Sequence, residues 1–242
     1  MRIDIFSDVV CPFCYIGKRH LEAALDQAGL ADQADIHWHA FELDPNAEKF
    51  PQQGLVEMIA SKYGLDQAQA EQSQEAIAQR ARQVGLEFNW RHAQHGNTLD
   101  AHRLIHLAGT HGKAPAAEEA LMRAYFTEGK NPADHRTLRD VAQEIGLDAA
   151  EVDQLLSGQR FEAEVREDEA AAHRIGVQGV PFFIFNGKFA LSGAQPIDVF
   201  VQALQQALEE EEQEGSAPEQ DSPSPAGTAT GEACGPEGCP VN

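Results

Sequence analysis

Positive charge is scarce in this chain. Lys and Arg number 18 against 39 Asp and Glu, and the formal charge is −21. A field of that sign repels phosphate backbones, so nucleic acid is not an expected partner. Long apolar runs are also missing. No stretch approaches the roughly 20 residues that a membrane helix needs, so no membrane partner is expected. The first residues, Met1-Arg2-Ile3-Asp4-Ile5-Phe6, lack the apolar core of a secretory signal, and the expected compartment is the cytoplasm. Cysteine is rare too, with four in 242 residues. In a reducing compartment such residues are more often catalytic or metal-binding than structural. What remains is ordinary: 42% hydrophobic and 24% charged residues, a globular profile. A chain of this length can bury roughly three quarters of its unfolded surface without staples.

The four cysteines fall in two close pairs near opposite ends, Cys11-Pro12-Phe13-Cys14 and Cys234-Gly235-Pro236-Glu237-Gly238-Cys239. Residues 2–7 read as a strand, because Ile3, Ile5 and Phe6 are β-formers. A helix is expected over about 11–28, since Cys14, Leu21, Leu25 and Ala28 recur at helical spacing and Gly29 can cap the end. A second strand, 35–41, completes a β-α-β unit. From about 50 to 175 the texture becomes rich in Ala, Gln and Glu with helical period, and six or seven helices are expected. Gly64-Leu65-Asp66, Gly85-Leu86-Glu87 and Gly146-Leu147-Asp148 read as helix stops. Asp66 and Asp148 can each cap the next helix, and Asp148 with Glu151 makes a capping box. Residues 182–186 and 188–192 read as a hairpin around Asn186-Gly187. A last helix starts near Pro196 and is expected to fray in Glu209 to Glu212, where four carboxylates oppose the helix dipole. Beyond it the composition is that of a disordered tail.

A Cys-x-x-Cys at a helix start sets the two sulfurs about one turn apart, within disulfide reach. Cys11 falls at the helix N-terminus, where free N–H groups favour a thiolate, and Cys14 falls in line with the buried stripe. That asymmetry suits dithiol chemistry, with Cys11 attacking a disulfide and Cys14 resolving the mixed disulfide. Gly179-Val180-Pro181, just before the second strand pair, makes Pro181 a candidate cis-proline. Asp8 and Glu42 can each supply an acid beneath the dithiol, and the sequence does not choose between them. His102 and His106 share a helix face without an evident third ligand, so they read as a surface or interdomain pair and not as a metal site. His37 and His39 point to one face of a half-exposed strand. No metal and no cofactor are expected.

Three blocks carry a resemblance. Val9-Val10-Cys11-Pro12-Phe13-Cys14-Tyr15-Ile16-Gly17-Lys18-Arg19, Asn97-Thr98-Leu99-Asp100-Ala101-His102-Arg103-Leu104, and Gly179-Val180-Pro181-Phe182-Phe183 through Ser192-Gly193-Ala194-Gln195-Pro196 together resemble the FrnE branch of the DsbA family over about 1–213. The resemblance implies an α/β, thioredoxin-like fold with an inserted all-α domain. The thioredoxin-like domain is then discontinuous, 1–50 and 176–213, the helical insert is 51–175, and 214–242 is a flexible acidic tail. It implies protein thiol–disulfide exchange of oxidase, isomerase or reductase type. Cys11 is then the nucleophile, Cys14 the resolver and Pro181 a cis residue beside them, while the backbone around Val180 pairs with an extended substrate segment. Phe13, with its apolar neighbours, can also meet unfolded substrate. Strongly oxidising members carry His where this chain has Phe13, so a milder oxidant is expected.

The expected partners are proteins bearing thiols or disulfides, with glutathione or a thioredoxin-type reductant for recycling, and the acidic surface leans toward a monomer. The tail pair Cys234 and Cys239 reads either as a second redox pair serving Cys11 and Cys14, or as an idle or metal-scavenging one. Two other functions compete. The kappa-class glutathione transferases and 2-hydroxychromene-2-carboxylate isomerases share the insertion fold and act on small molecules with glutathione. They carry Ser at the position of Cys11, and a complete Cys-x-x-Cys speaks against them. A non-catalytic holdase or scaffold is the third reading.

Overall fold

The computed structural model describes residues 1–215, with side chains through Glu211. Strand β1 (Arg2–Ser7) leads into helix α1 (Pro12–Ala28), and β2 (Asp35–Ala40) returns parallel to β1. Seven helices follow before the next strand: α2 (Leu55–Tyr63), α3 (Gln67–Gln83), α4 (Leu99–Gly109), α5 (Ala114–Phe126), α6 (His135–Glu144), α7 (Ala149–Ser157) and α8 (Glu162–Arg174). The chain then re-enters the sheet with the hairpin β3 (Phe182–Phe185) and β4 (Phe189–Ser192), and ends in α9 (Ile197–Gly215). Strand order is β2-β1-β3-β4, with β3 antiparallel to both β1 and β4. This is a thioredoxin-like sheet with an inserted helical domain.

The central strand explains its own sequence. Ile3 and Ile5 pack with Leu21 and Leu25 of α1, Phe183 and Phe185 of β3, and Phe200 and Leu204 of α9. Phe6, on the other face, packs against Ala172 of α8 and Val177. Both faces are covered, so β1 is buried from Ile3 to Ser7 and does not alternate apolar with polar. Asn186 and Gly187 both take positive φ, 51° and 70°, as a two-residue hairpin turn requires.

All three helix stops form. Gly64, Gly85 and Gly146 have φ of 65°, 76° and 71°, and the Leu after each donates its N–H back five residues, to Ala60, Ala81 and Ala142. Asp66 and Gln69 make the full capping box. Asp148 accepts from the N–H groups of Ala150 and Glu151, but the box there is only half made. The Glu151 side chain turns away to His111 at 2.8 Å and to Arg160 at 3.6 Å. The expected fraying at Glu209 does not occur, and α9 continues to Gly215. Glu210 lies 3.8 Å from the Lys188 ammonium and Glu211 3.9 Å from the N-terminal amine, so cations outside the helix offset the unfavourable dipole. The tail beyond 215, with Cys234 and Cys239, lies outside the described residues. Among the described residues no helix is long and apolar enough to cross a membrane.

Histidines clamp the insert to the sheet. His39 of β2 is no half-exposed bystander. Its Nε2 lies 2.8 Å from Asp4 of β1 and its Nδ1 2.9 Å from Asp168 of α8, and the other oxygen of Asp168 lies 3.0 Å from His106 of α4. Burial opposes a charge on His39, but Asp168 and Asp4 outweigh it and its pKa is raised. Burial likewise opposes charge on Asp168, yet His106, His39 and the Ala40 N–H hold its carboxyl well below the usual range. A raised histidine pKa stabilises the fold fully below the unfolded value near 6.5 and ceases to as pH climbs through the folded value. His39→Gln should therefore cost roughly 1.5–3 kcal/mol near pH 6. The gap to wild type should narrow by about pH 9, read by denaturant unfolding at both pH values. An unchanged gap would show that His39 acts through packing alone.

Candidate active site

The dithiol sits where β1 hands the chain to α1. Cys11 is the N-cap, with extended backbone (φ −86°, ψ 113°), and Pro12 occupies the first helical turn, where no N–H donor is needed. The Cys11 N–H donates to the Asp8 carbonyl at 3.0 Å, and the Cys14 N–H donates to the Cys11 carbonyl at 3.1 Å. The same turn therefore carries both sulfurs. Cys11 is 4% exposed and Cys14 2%, so the expected contrast in shelter is slight. The reason is the insert. Ala78 and Ala81 of α3, Phe88, Trp90, and Met122, Tyr125 and Phe126 of α5 join both cysteines in one apolar cluster. The contrast lies in what each thiol faces. Cys11 lines an open cleft, and Cys14 does not. The Cys11 thiol also donates to the Val180 carbonyl at 3.5 Å. Burial pushes the Cys14 thiol well above its ordinary pKa, with Cys11 adding to the effect, while the Asp8 backbone and the Ser7 hydroxyl pull weakly the other way.

Five residues singled out in the sequence meet here. The Val180–Pro181 bond is cis. Pro181 accepts from the Gly193 N–H at 2.8 Å, which ties the loop to the end of β4. Phe13 and Val180 line the cleft beside Cys11, and the Arg80 guanidinium of α3 stands 5.2 Å from the Phe13 ring centre. The cleft has a volume of about 1130 Å³ and runs from the dithiol between the chain after β2 and helices α2 and α3. Leu55, Met58, Ile59 and Ile77 make much of its wall.

The alternatives left open beneath the dithiol divide on geometry. Asp8 is 1% exposed and lines the cleft, and one of its oxygens accepts the Leu43 N–H at 2.8 Å. Glu42 is also buried, not solvated at a strand end. It faces away, held by Arg166 at 2.5 Å and Asn97 at 3.1 Å, and burial raises its pKa. His102 is not at the surface. It is 2% exposed with its Nε2 3.4 Å from Asp8, too poorly aligned for a hydrogen bond but close enough for an ion pair. Burial disfavours its charge, yet Asp8, Glu118 and Glu42 together raise its pKa. Among the described residues no group of His, Cys, Asp and Glu is arranged to hold a metal.

The middle block of the sequence proves to be a joint between the two parts of the fold. Asn97 bridges from the start of α4 to Glu42 and the Pro45 carbonyl. Arg103 reaches from α4 to the end of α7, and Asp100 gathers Lys49, Arg103 and His135.

Three groups near the dithiol escape a sequence reading. Ser7 and Glu118 form a buried pair, with the hydroxyl donating to the carboxylate at 2.7 Å. The available signal was a carboxylate in an apolar stripe, since Glu118 shares the buried face of α5 with Leu121, Met122 and Tyr125. Gly17, inside α1, is the third. A Cβ there would stand 3.1 Å from the Pro181 ring and 3.2 Å from the Phe183 ring, so any larger residue would have to push those side chains back by a few tenths of an ångström.

This geometry has relatives. A model of the DSBA-like thioredoxin domain matches residues 2–205. A probable DsbA oxidoreductase of Streptomyces coelicolor is 38% identical, with a TM-score of 0.82 over 100% of this chain and 99% of that one. The uncharacterized protein YwbO of Bacillus subtilis is 29% identical over 206 residues, 84% of this chain and 96% of YwbO. A 2-hydroxychromene-2-carboxylate isomerase, 18% identical, superposes with a TM-score of 0.65 over 89% of this chain and all of that one, a likeness of fold. The match across almost the whole described chain, on a sheet that carries Cys-x-x-Cys at the head of its first helix, places this protein in the DsbA-like thioredoxin family of thiol–disulfide oxidoreductases.

Proposed function

We propose that this protein exchanges disulfides with protein clients through Cys11 and Cys14. The observation that carries the reading is the placement of Cys11 alone of the two thiols on a large apolar cleft, with Cys14 packed behind it in the same helical turn. A client segment entering the cleft meets Phe13 and the Val180 backbone beside the attacking sulfur. Cys11 attacks one sulfur of the client disulfide, the other leaves as a thiolate, and a mixed disulfide forms. Cys14 then attacks Cys11, the client departs reduced, and the protein holds the Cys11–Cys14 disulfide. Run backward, the same steps oxidise a client dithiol. The protein acts as a monomer in the cytoplasm, where glutathione or a thioredoxin-type reductant returns it to the dithiol.

The test is capture. Cys14→Ser should accumulate mixed disulfides through Cys11, separable on non-reducing gels and released by reductant. Protein partners in those adducts support the reading. Glutathione as the sole captured thiol would favour a small-molecule reaction of the kind named for the 2-hydroxychromene-2-carboxylate isomerase neighbour.

A further inference from the structure

The cleft beside Cys11 has apolar walls, but two buried hydroxyls also line it. Thr98 and Tyr125 are each 3% exposed and both border this space. Tyr125 packs in the same cluster as Cys11 and Cys14. Thr98 precedes α4, where its carbonyl accepts the His102 N–H at 3.0 Å and its hydroxyl caps nothing. The two residues stand level across a helical hairpin. Helices α4 and α5 pack along each other through Leu104, Ala108, Ala117 and Leu121, and a Cβ on Gly109 would touch Ala114 at 3.8 Å beside the turn. Thr98 lies eleven residues before Gly109, and Tyr125 eleven residues after Ala114. Neither hydroxyl has a hydrogen-bond partner among the described residues. Asp8 Oδ1, Trp38 Nε1 and His102 Nε2 also lack partners, but they are sealed off. The Thr98 and Tyr125 hydroxyls are not sealed, and the cleft is the space that both residues border.

We propose that Thr98 and Tyr125 form a recognition subsite for an uncharged carboxamide, the side chain of an Asn or Gln that flanks the client cysteine. The subsite deepens the protein-client reading given above and rests on it. A carboxamide carries an acceptor and a donor side by side. Tyr125 donates to its oxygen, and Thr98 accepts from its nitrogen. An aliphatic side chain of the same shape would bury both hydroxyls unmatched, and a site built to hydrogen-bond its substrate rejects such an analogue.

The surroundings suit a neutral group. Burial raises the Tyr125 pKa, with the Asp8 charge adding to it, so the phenol keeps its proton and acts as a donor. His95, three residues before Thr98, borders the same cleft, and burial lowers its pKa and favours the neutral ring. Asp8 offers no counter-ion to a client Lys or Arg, because one oxygen takes the Leu43 N–H and the other is sealed beside His102. Asp44, Glu48 and Lys62 also line the cleft, but they stand in solvent.

The test is a kinetic comparison on the full chain. The probes are short peptides joined through their cysteine to a chromogenic thiol, with Asn, Leu, Asp or Lys as the flanking residue on either side. Glutathione joined to the same thiol is a further probe. Each kcat/KM is divided by the rate of the same probe with free dithiothreitol, which removes intrinsic reactivity. Wild type should favour the Asn peptide over its Leu isostere by roughly tenfold or more. Tyr125→Phe and Thr98→Val each delete one oxygen and keep the shape. Each should cut that preference to about threefold or less and should speed the Leu peptide, which then meets one unmatched hydroxyl fewer. A merely structural fault slows all the peptides alike. Should Tyr125→Phe fail to fold, Thr98→Val carries the test. An Asn-to-Leu ratio that is the same in wild type and variants overturns the proposal, and so does a preference for Asp or Lys over Asn. Turnover of the glutathione probe with none of the peptides would instead overturn the protein-client reading, and the subsite with it.

Discussion

Cys11→Ser is expected to lower disulfide-exchange turnover at least about a thousandfold, with little change in stability. A serine hydroxyl stays protonated at neutral pH and forms no disulfide, so the first covalent step has no substitute. Cys14 cannot take over. It does not line the cleft, and burial holds its thiol well above the ordinary range. Alkylation at neutral pH should for the same reason label Cys11 first, with Cys14 reacting only after partial unfolding. The measurement is thiol release from a disulfide-linked peptide under multiple turnover, paired with mass spectrometry of the alkylated protein. A variant that retains a tenth of wild-type turnover would show that another sulfur attacks. Isomerisation of an aromatic substrate that survives the change would move the protein to the glutathione-dependent class.

Arg103→Met should destabilise the fold by roughly 3–5 kcal/mol, the largest loss we expect from a residue outside the dithiol. Arg103 is 4% exposed and spends its guanidinium on four partners. They are Asp100 at 2.7 Å and the carbonyls of Leu155, Gly158 and Arg160 at 2.5, 2.7 and 2.8 Å. The last three close the end of α7 and the turn into α8, where helix carbonyls have no intrahelical donor. Methionine fills the space but leaves the three carbonyls without their donor and one Asp100 oxygen without its partner, while Lys49 and His135 still hold the other oxygen. Burial disfavours the Asp100 charge, and it is Lys49, Arg103 and His135 that keep its pKa low. Arg103→Lys should recover little, because one ammonium cannot span Asp100 and the helix end together. Thermal unfolding checks both variants, with a fall of about 10 °C or more expected for Met. A shift of only a degree or two would mean that water replaces the guanidinium at little cost.

Local rules carried the linear features of this chain a long way. The Gly-Leu helix stops, the Asn186-Gly187 turn, the apolar stripe of α1 and the cysteine pair at its head depend on neighbours within a few residues, and each stands where those rules put it. Where a distant partner intervenes, the same rules fail. Glu151 leaves its expected box for His111 and Arg160, and Glu210 and Glu211 sit near cations from other parts of the chain. His39 and His102 read as unremarkable residues, because Asp168 and Asp8, which give them their chemistry, lie 129 and 94 positions away in the chain.

By itself the sequence determined the Cys-x-x-Cys pair, its seat at a helix start and the helical texture between the strand pairs, and it offered Pro181 as a candidate cis-proline. Periodicity, turn chemistry and spacing act over short range and survive in one dimension. Tertiary structure alone decided that Cys11 and Cys14 are both buried, that of these two Cys11 opens on the cleft, and that Ser7 and Glu118 form a buried hydrogen-bonded pair. Burial and the meeting of charges depend on which surfaces pack together. Here α3 and α5 of the insert close over the head of α1, and that contact between segments far apart in the chain sets the environment of each thiol.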